Sequence, residues 1–133
     1  MAFQFSVSSR NAALDALEVN MGASPTLEIR TGAPPANCAA ADSGSLLASM
    51  ALPADWLTAA SAGQKLINGT WQDLSADAGG TAGHFRVKQG ATCHIQGTIT
   101  VSGGGGDMTI DNTTLTATQQ INVTAFTINA GGA

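Results

Sequence analysis

Charge is the scarcest property of this chain. Asp, Glu, Lys and Arg make up 11% of its 133 residues, less than half of the roughly 25% found in an average soluble domain. The five cations, Arg10, Arg30, Lys65, Arg86 and Lys88, are scattered, and nine acids bring the net charge to −4. A nucleic-acid-binding surface needs a basic stripe to neutralise phosphates, so nucleic acid is not expected as a partner. No apolar run approaches the roughly 18 residues of a membrane span. Met1-Ala2-Phe3-Gln4-Phe5 also lacks the basic start and long apolar stretch of a signal peptide, so neither membrane insertion nor Sec export is expected. Tyrosine is absent, and two Trp and four Phe are the only aromatic side chains. An aromatic platform for glycans would have to come from Trp56 or Trp71.

Cysteine is nearly absent too. Cys38 and Cys93 are too few and too far apart for a zinc site. They are expected as two reduced, half-buried thiols, although a disulfide between them would close a long loop. Signals for chemistry are missing in the same way. There is no Gly-x-Ser-x-Gly elbow and no recognisable triad around either histidine. Gly103 to Gly106 lacks the Lys-Ser/Thr of a phosphate loop. Asp73, Asp77, Asp107 and Asp111 lack the alternation of a calcium loop. His84 and His94 fall on one polar strand face, but Arg86 lies beside them and would oppose a metal. No catalytic residue, cofactor or metal is therefore expected, and the chain reads as non-enzymatic.

What the chain does have is apolar content, 44% of residues, with Ala, Gly, Thr and Ser in place of charge. At this length a single domain, 1–133, can bury a core without a staple. The low charge has two readings. The surface is either a neutral coat of Thr, Ser, Asn and Gln, or it is covered by partners, since interface cores are depleted of charge.

Phe3, Phe5 and Val7 alternate with polar residues and predict a strand. Ser9 then caps a helix over about 10–21, ended by Gly22. Strands follow at Thr26 to Thr31 and at Leu46 to Leu52, separated by a long loop that Pro34 and Pro35 break from the first strand. Pro53 can open one or two helical turns through Leu57. Asn68-Gly69 predicts a type I′ hairpin that pairs Leu66 with Trp71 on one face.

From Phe85 to Val101 the phases predict a hairpin pairing Phe85 with Ile95 and Val87 with Cys93. Its polar face of His84, Arg86 and Lys88 is then turned to water. Val101 pairing with Met108, and Ile99 with Ile110, would extend the meander. Phe126 and Ile128 break the phase of Ile121 and Val123, which requires a β-bulge or a strand covered on both faces. The resulting class is mostly β: a β-sandwich, jelly-roll-like, with about eight strands and one short N-terminal helix.

Several passages together give the chain a likeness to known proteins: Met-Ala-Phe-Gln-Phe at the start, Arg30-Thr-Gly-Ala-Pro-Pro-Ala-Asn-Cys38, Leu52-Pro-Ala-Asp-Trp-Leu57, Ala82-Gly-His-Phe-Arg-Val87, Thr92-Cys-His-Ile-Gln-Gly97 and Asn122-Val-Thr-Ala-Phe-Thr-Ile128. Across its length the chain resembles small structural proteins of tailed bacteriophages, and in function the capsid cement or decoration proteins. The resemblance implies a protein made in the host bacterial cytoplasm and placed on the virion capsid surface. It would sit there as a dimer or trimer against the major capsid protein. It carries over no catalytic residue.

On that view residues 1–22 form an assembly arm, and the neutral, apolar Phe3, Phe5, Pro34, Pro35, Phe126 and Ile128 are the candidate contacts. The alternative is a tail-associated or host-surface glycan-binding module, which would expose Trp56 or Trp71.

Overall fold

The N-terminus forms helix where alternation predicts strand. In the computed structural model, which describes residues 3–132, helix α1 spans Val7–Met21. Its N-cap is Ser6, not Ser9: Ser6 is extended, and its hydroxyl accepts the Ser9 backbone N–H at 3.1 Å. That cap starts the helix a turn early and takes Val7 out of the alternating triplet. Phe3 and Phe5 stay extended without joining a ladder, and Phe5 N–H donates to the Gly132 carbonyl at 2.7 Å. Gly22 closes the helix as predicted, its N–H donating to the Glu18 carbonyl.

Nine strands follow among the described residues: β1 Thr26–Thr31, β2 Leu46–Ala51, β3 Gln64–Leu66, β4 Gln72–Asp73, β5 Gly80–Gln89, β6 Thr92–Val101, β7 Met108–Ile110, β8 Thr114–Leu115 and β9 Ile121–Asn129. Their hydrogen-bonded order is β2-β1-β5-β6-β7-β9-β3, with β4 added to β9 and β8 to β5. Strands β5 and β9 lie three spacings apart, roughly 14 Å if the sheet were flat. Yet the rings of Phe85 and Phe126 meet at 5.4 Å, so the sheet curls over one core. The mostly-β, sandwich-like class matches the expectation. An aromatic chain runs through that core, Trp56 to Trp71 at 5.9 Å, Trp71 to Phe126 at 5.9 Å, and on to Phe85. Leu27, Ile29, Val87, Met108, Ile110 and Ile121 pack around it.

The registers correct three local expectations and decide between the two alternatives left open for the last strand. First, β5 and β6 do form a hairpin, but Phe85 opposes Gly97 and Val87 opposes Ile95, and a bulge then sets Cys93 against Lys88. The two-residue shift keeps the apolar faces together, which is why pattern alone did not resolve it. Second, the primed hairpin turn falls at Ala62-Gly63, both at positive φ (52° and 74°). Ser61 and Gln64 exchange both backbone hydrogen bonds across it at 2.9 Å.

The segment after Pro53 is therefore the other arm of this hairpin, with Leu57 bridging Ile67, and not a helix. Only Gly69 of the Asn68-Gly69 pair has positive φ, and the Asn68 amide donates instead to the Asp55 carbonyl at 2.9 Å. Leu66 is exposed while Trp71 is buried, so the two do not share a face.

Third, β7 runs parallel to β6, with Ile99 beside Met108 and Val101 beside Ile110. The chain doubles back over the end of β6. A Cβ on Gly104 would lie 2.6 Å from Thr100 Cβ, and one on Gly106 2.8 Å from Thr100 N. The glycine run is what allows so short a return. The last strand, β9, resets its phase by a bulge: Ile110 pairs with Val123, Thr109 with Ala125 and Met108 with Phe126. Phe126 therefore points into the core at 6% exposure.

Candidate assembly surface and the buried clamp beside it

Glu28 and Arg30 of β1, and His84, Arg86 and Lys88 of β5, alternate with core residues and point to the opposite face of the sheet. The pattern predicts that this face meets water. Instead His84, Arg86 and Lys88 are 0%, 2% and 8% exposed, because residues 32–45 fold back across them.

This loop is rich in Ala and Pro and brings almost no side chains capable of holding it down, so the sheet holds its backbone. Arg86 Nη2 donates to the carbonyls of Asn37, Cys38 and Ala40 at 3.0, 3.3 and 3.0 Å. Gln96, opposite Arg86 on β6, donates to the Pro35 carbonyl at 2.6 Å and accepts from Arg86. His84 Nδ1 donates to the Gly32 carbonyl at 2.9 Å. Next to it, a Cβ on Gly83 would stand 2.3 Å from that same carbonyl oxygen.

Asp42 is the loop's one acid over the face. Its carboxylate meets Arg86 Nη1 at 2.6 Å, Lys88 Nζ at 2.7 Å and Arg30 Nη2 at 3.3 Å. Glu28 pairs with Arg30 at 3.0 Å and with Lys88 at 3.1 Å. Three cations thus face two carboxylates, and the loop carbonyls around Arg86 absorb the surplus positive charge. Hydrogen bonds from Lys88 and Arg86 hold the Asp42 carboxyl down to about 2. Burial works against the charged forms of Arg86 and Lys88, but their bonds to Asp42 outweigh it and raise both.

A smaller ion group docks α1. Lys65, 2% exposed on β3, donates to Asp15 at 2.6 Å and lies 2.8 Å from Glu18. Burial opposes its charge, but these carboxylates prevail and raise its pKa. The Asn11 and Asp15 side chains also accept the backbone N–H groups of Gly63 and Ala60 at 2.9 and 3.1 Å.

The N-terminal segment and the helix also leave several apolar side chains open to solvent. Phe3, Phe5, Val7, Leu17 and Val19 are 80%, 51%, 48%, 45% and 81% exposed. Phe3 and Phe5 meet edge to face at 5.4 Å. A groove of about 430 Å³ runs between α1 and the C-terminal tail, lined by Phe5, Arg10, Ala13, Leu17, Asn129 and Ala130 among others.

The structure thus separates the six candidate contacts. Phe3 and Phe5 are exposed beside the groove. Pro34 and Pro35 are half-buried in the clamped loop, and the Pro35 carbonyl is engaged by Gln96. Phe126 lies in the core, and Ile128 is half-buried against it. The bulge explains both of these last placements.

The helical spacing of Ala13, Leu14, Leu17 and Met21 puts Leu17 on the apolar stripe, yet it is 45% exposed, and no sequence pattern singles out Val19. Val19 lies about 140° around the helix from the buried Leu14, a sign that α1 carries apolar residues on more than its docking face. Nor does any pattern point to the clamp, although an Ala-rich loop with few polar side chains needs donors from elsewhere.

Among the described residues no three His, Cys, Asp or Glu side chains cluster to hold a metal, and no helix is long and apolar enough to cross a membrane. Compared with protein-family models, curated proteins and solved structures, the chain finds no match.

Proposed function

We propose that this chain is a non-enzymatic virion structural protein, a capsid cement or decoration protein of the tailed-phage kind. In this reading it binds the outer surface of the major capsid shell as a dimer or trimer and stabilises it. One observation carries the proposal: a chain poor in charge turns Lys65, Arg86 and Lys88 inward and leaves a run of apolar side chains, Phe3 to Val19, standing in solvent. Lone exposed apolar residues are ordinary, but Phe3 and Phe5 packed together at a groove that Leu17 also lines mark an interaction surface.

The mechanism is mechanical. A domain bridging neighbouring shell subunits adds buried area that must be lost before they part. A standard interface buries roughly 1,600 Å², and repetition over a lattice converts modest contacts into avidity. With four of its five cations paired internally, the exposed charge is largely acidic, which favours a neutral or basic docking surface on the shell. The glycan-binding alternative loses its platform, because Trp56 and Trp71 are 0% and 1% exposed.

The test is to add the purified protein to shells assembled from major capsid protein alone and image them by cryo-electron microscopy. Hundreds of ordered copies per particle, lost in a Phe3→Ser/Phe5→Ser double variant that folds normally, support the proposal. A handful of copies, or none, sinks it.

A further inference from the structure

The clamp brings the chain's two cysteines together. Cys38 sits in the middle of the covering loop, where Arg86 holds its carbonyl. Cys93 lies on β6 at the bulge that sets it against Lys88, and Lys88 is tied through Asp42 to the same loop. Both cysteines thus border one clamp, and Cys38 lies near enough to the Cys93 thiol to raise its pKa. Both are free and half-buried, open enough for a small oxidant.

Cys38 contributes only its carbonyl to the clamp, and the Cys93 thiol finds no better acceptor than the Ile95 carbonyl at 3.5 Å. A loop cysteine and a strand cysteine bordering one clamp, with backbone held on both sides, are placed for cross-linking.

We infer that Cys38 and Cys93 form a reversible oxidation site whose disulfide locks residues 32–45 onto the sheet. A low-molecular-weight disulfide such as oxidised glutathione is a sufficient oxidant. The Cys38 thiolate attacks one of its sulfurs, forming a mixed disulfide and releasing one glutathione thiolate. Cys93 then yields its proton to solvent and attacks the Cys38 sulfur, and the second glutathione leaves. Two protein thiols become one disulfide while one glutathione disulfide becomes two thiols.

The order of attack follows from the surroundings. Burial and the Cys38 contact push the Cys93 thiol up to about 12, so it enters second. By then Cys38 is no longer a thiol, and the nearby Arg86 and Lys88 favour the Cys93 anion. The cross-link joins segments far apart in sequence and constrains the unfolded chain strongly.

The experiment treats the folded protein with oxidised glutathione, quenches with iodoacetamide, and follows intact mass, disulfide-linked peptides and thermal unfolding. The expected product is a monomer lighter by two hydrogens, with a Cys38–Cys93 linked peptide and a Tm raised by roughly 10 °C. The rise should reverse with dithiothreitol and be absent from Cys38→Ser and Cys93→Ser. Hydrogen exchange in residues 36–42 should slow on oxidation. Glutathione adducts alone, disulfide-linked dimers, or the internal cross-link without a Tm change would each overturn the inference.

Discussion

Two segments cover the curled sheet, and they are held by opposite means. The loop 32–45 has little apolar surface to offer and is fastened through its backbone by Arg86, Gln96 and His84, with Asp42 as its only charged tie. Helix α1 docks through Leu14, Met21 and the Lys65 ion group but keeps Leu17 and Val19 in solvent. A segment fastened through its own carbonyls, with little apolar surface, has little left to offer a partner. One with apolar surface to spare does. The charge-poor composition follows a pattern: four of the five cations are paired where they fasten coverings, and the charge left outside is largely acidic.

The sharpest way to break the contrast is to remove the loop's anchor. Arg86→Met deletes five donors from a site where the arginine side chain is 2% exposed, leaving the carbonyls of Asn37, Cys38 and Ala40 without their donor while Asp42 keeps Lys88 and Arg30. Leaving several buried acceptors without a partner costs about 1–3 kcal/mol each, so a total loss of about 3–5 kcal/mol is expected by urea unfolding. Proteolysis within residues 32–45 should accelerate with it. A loss below about 1 kcal/mol would mean the loop is held by something other than this guanidinium.

The helix should respond less. Lys65→Met removes a fully buried ammonium, but its partners Asp15 and Glu18 are 54% and 19% exposed and can rehydrate. A cost of about 2–3 kcal/mol is expected. Hydrogen exchange should localise it to Val7–Met21 and leave β1 and β5 protected. Equal loss of protection in both regions would show that the helix is integral to the sheet and not a separately docked cover.

Much of the fold was readable because periodicity reports which residues share a face. Leu27 with Ile29, and Phe85 with Val87, point inward as their alternation requires. Even the bulge in β9 was visible, as the phase break between Val123 and Phe126. Periodicity says nothing about which strand lies beside which, so the pairing of β1 with β5 and the parallel β6–β7 return could not be seen. It also identifies a polar face without saying whether water or a loop covers it, which is why His84, Arg86 and Lys88 read as surface. At the N-terminus one capping hydroxyl on Ser6 outweighed a three-residue alternation. Of the six candidate contacts, only Phe3 and Phe5 remain on an open surface, because terminal position and apolarity were the only signals available.

Acid should loosen the loop before the helix contact surface changes. Asp42 has a folded-state pKa of about 2 against an unfolded value near 3.9. The depressed value means its stabilisation is complete above about pH 4 and is lost as pH falls toward 2. Asp42 is 33% exposed, so solvent screening limits the effect to roughly 1–2 kcal/mol. Asp15, lowered by its bonds to Lys65 and to the Ala60 N–H, acts in the same direction. The comparison that isolates Asp42 is therefore wild type against Asp42→Asn, unfolded in urea at intervals from pH 5 to pH 2. The variant should start less stable and lose less across the window. Parallel curves would place the acid sensitivity elsewhere.

The smallest change in stability should come from the surface assigned to a partner. Phe3 and Val19 are 80% and 81% exposed, so replacing both with Ser removes almost no buried area, and exposed substitutions of this kind usually stay within about 0.5 kcal/mol. Val19→Ser is close to neutral for helix propensity as well. Unfolding curves should superimpose on wild type while shell binding falls, which separates a docking surface from a structural one. A destabilisation above about 1 kcal/mol would show that these side chains already serve the isolated fold. The apolar N-terminus would then be a covering like the loop, and the contrast between the two segments would fail.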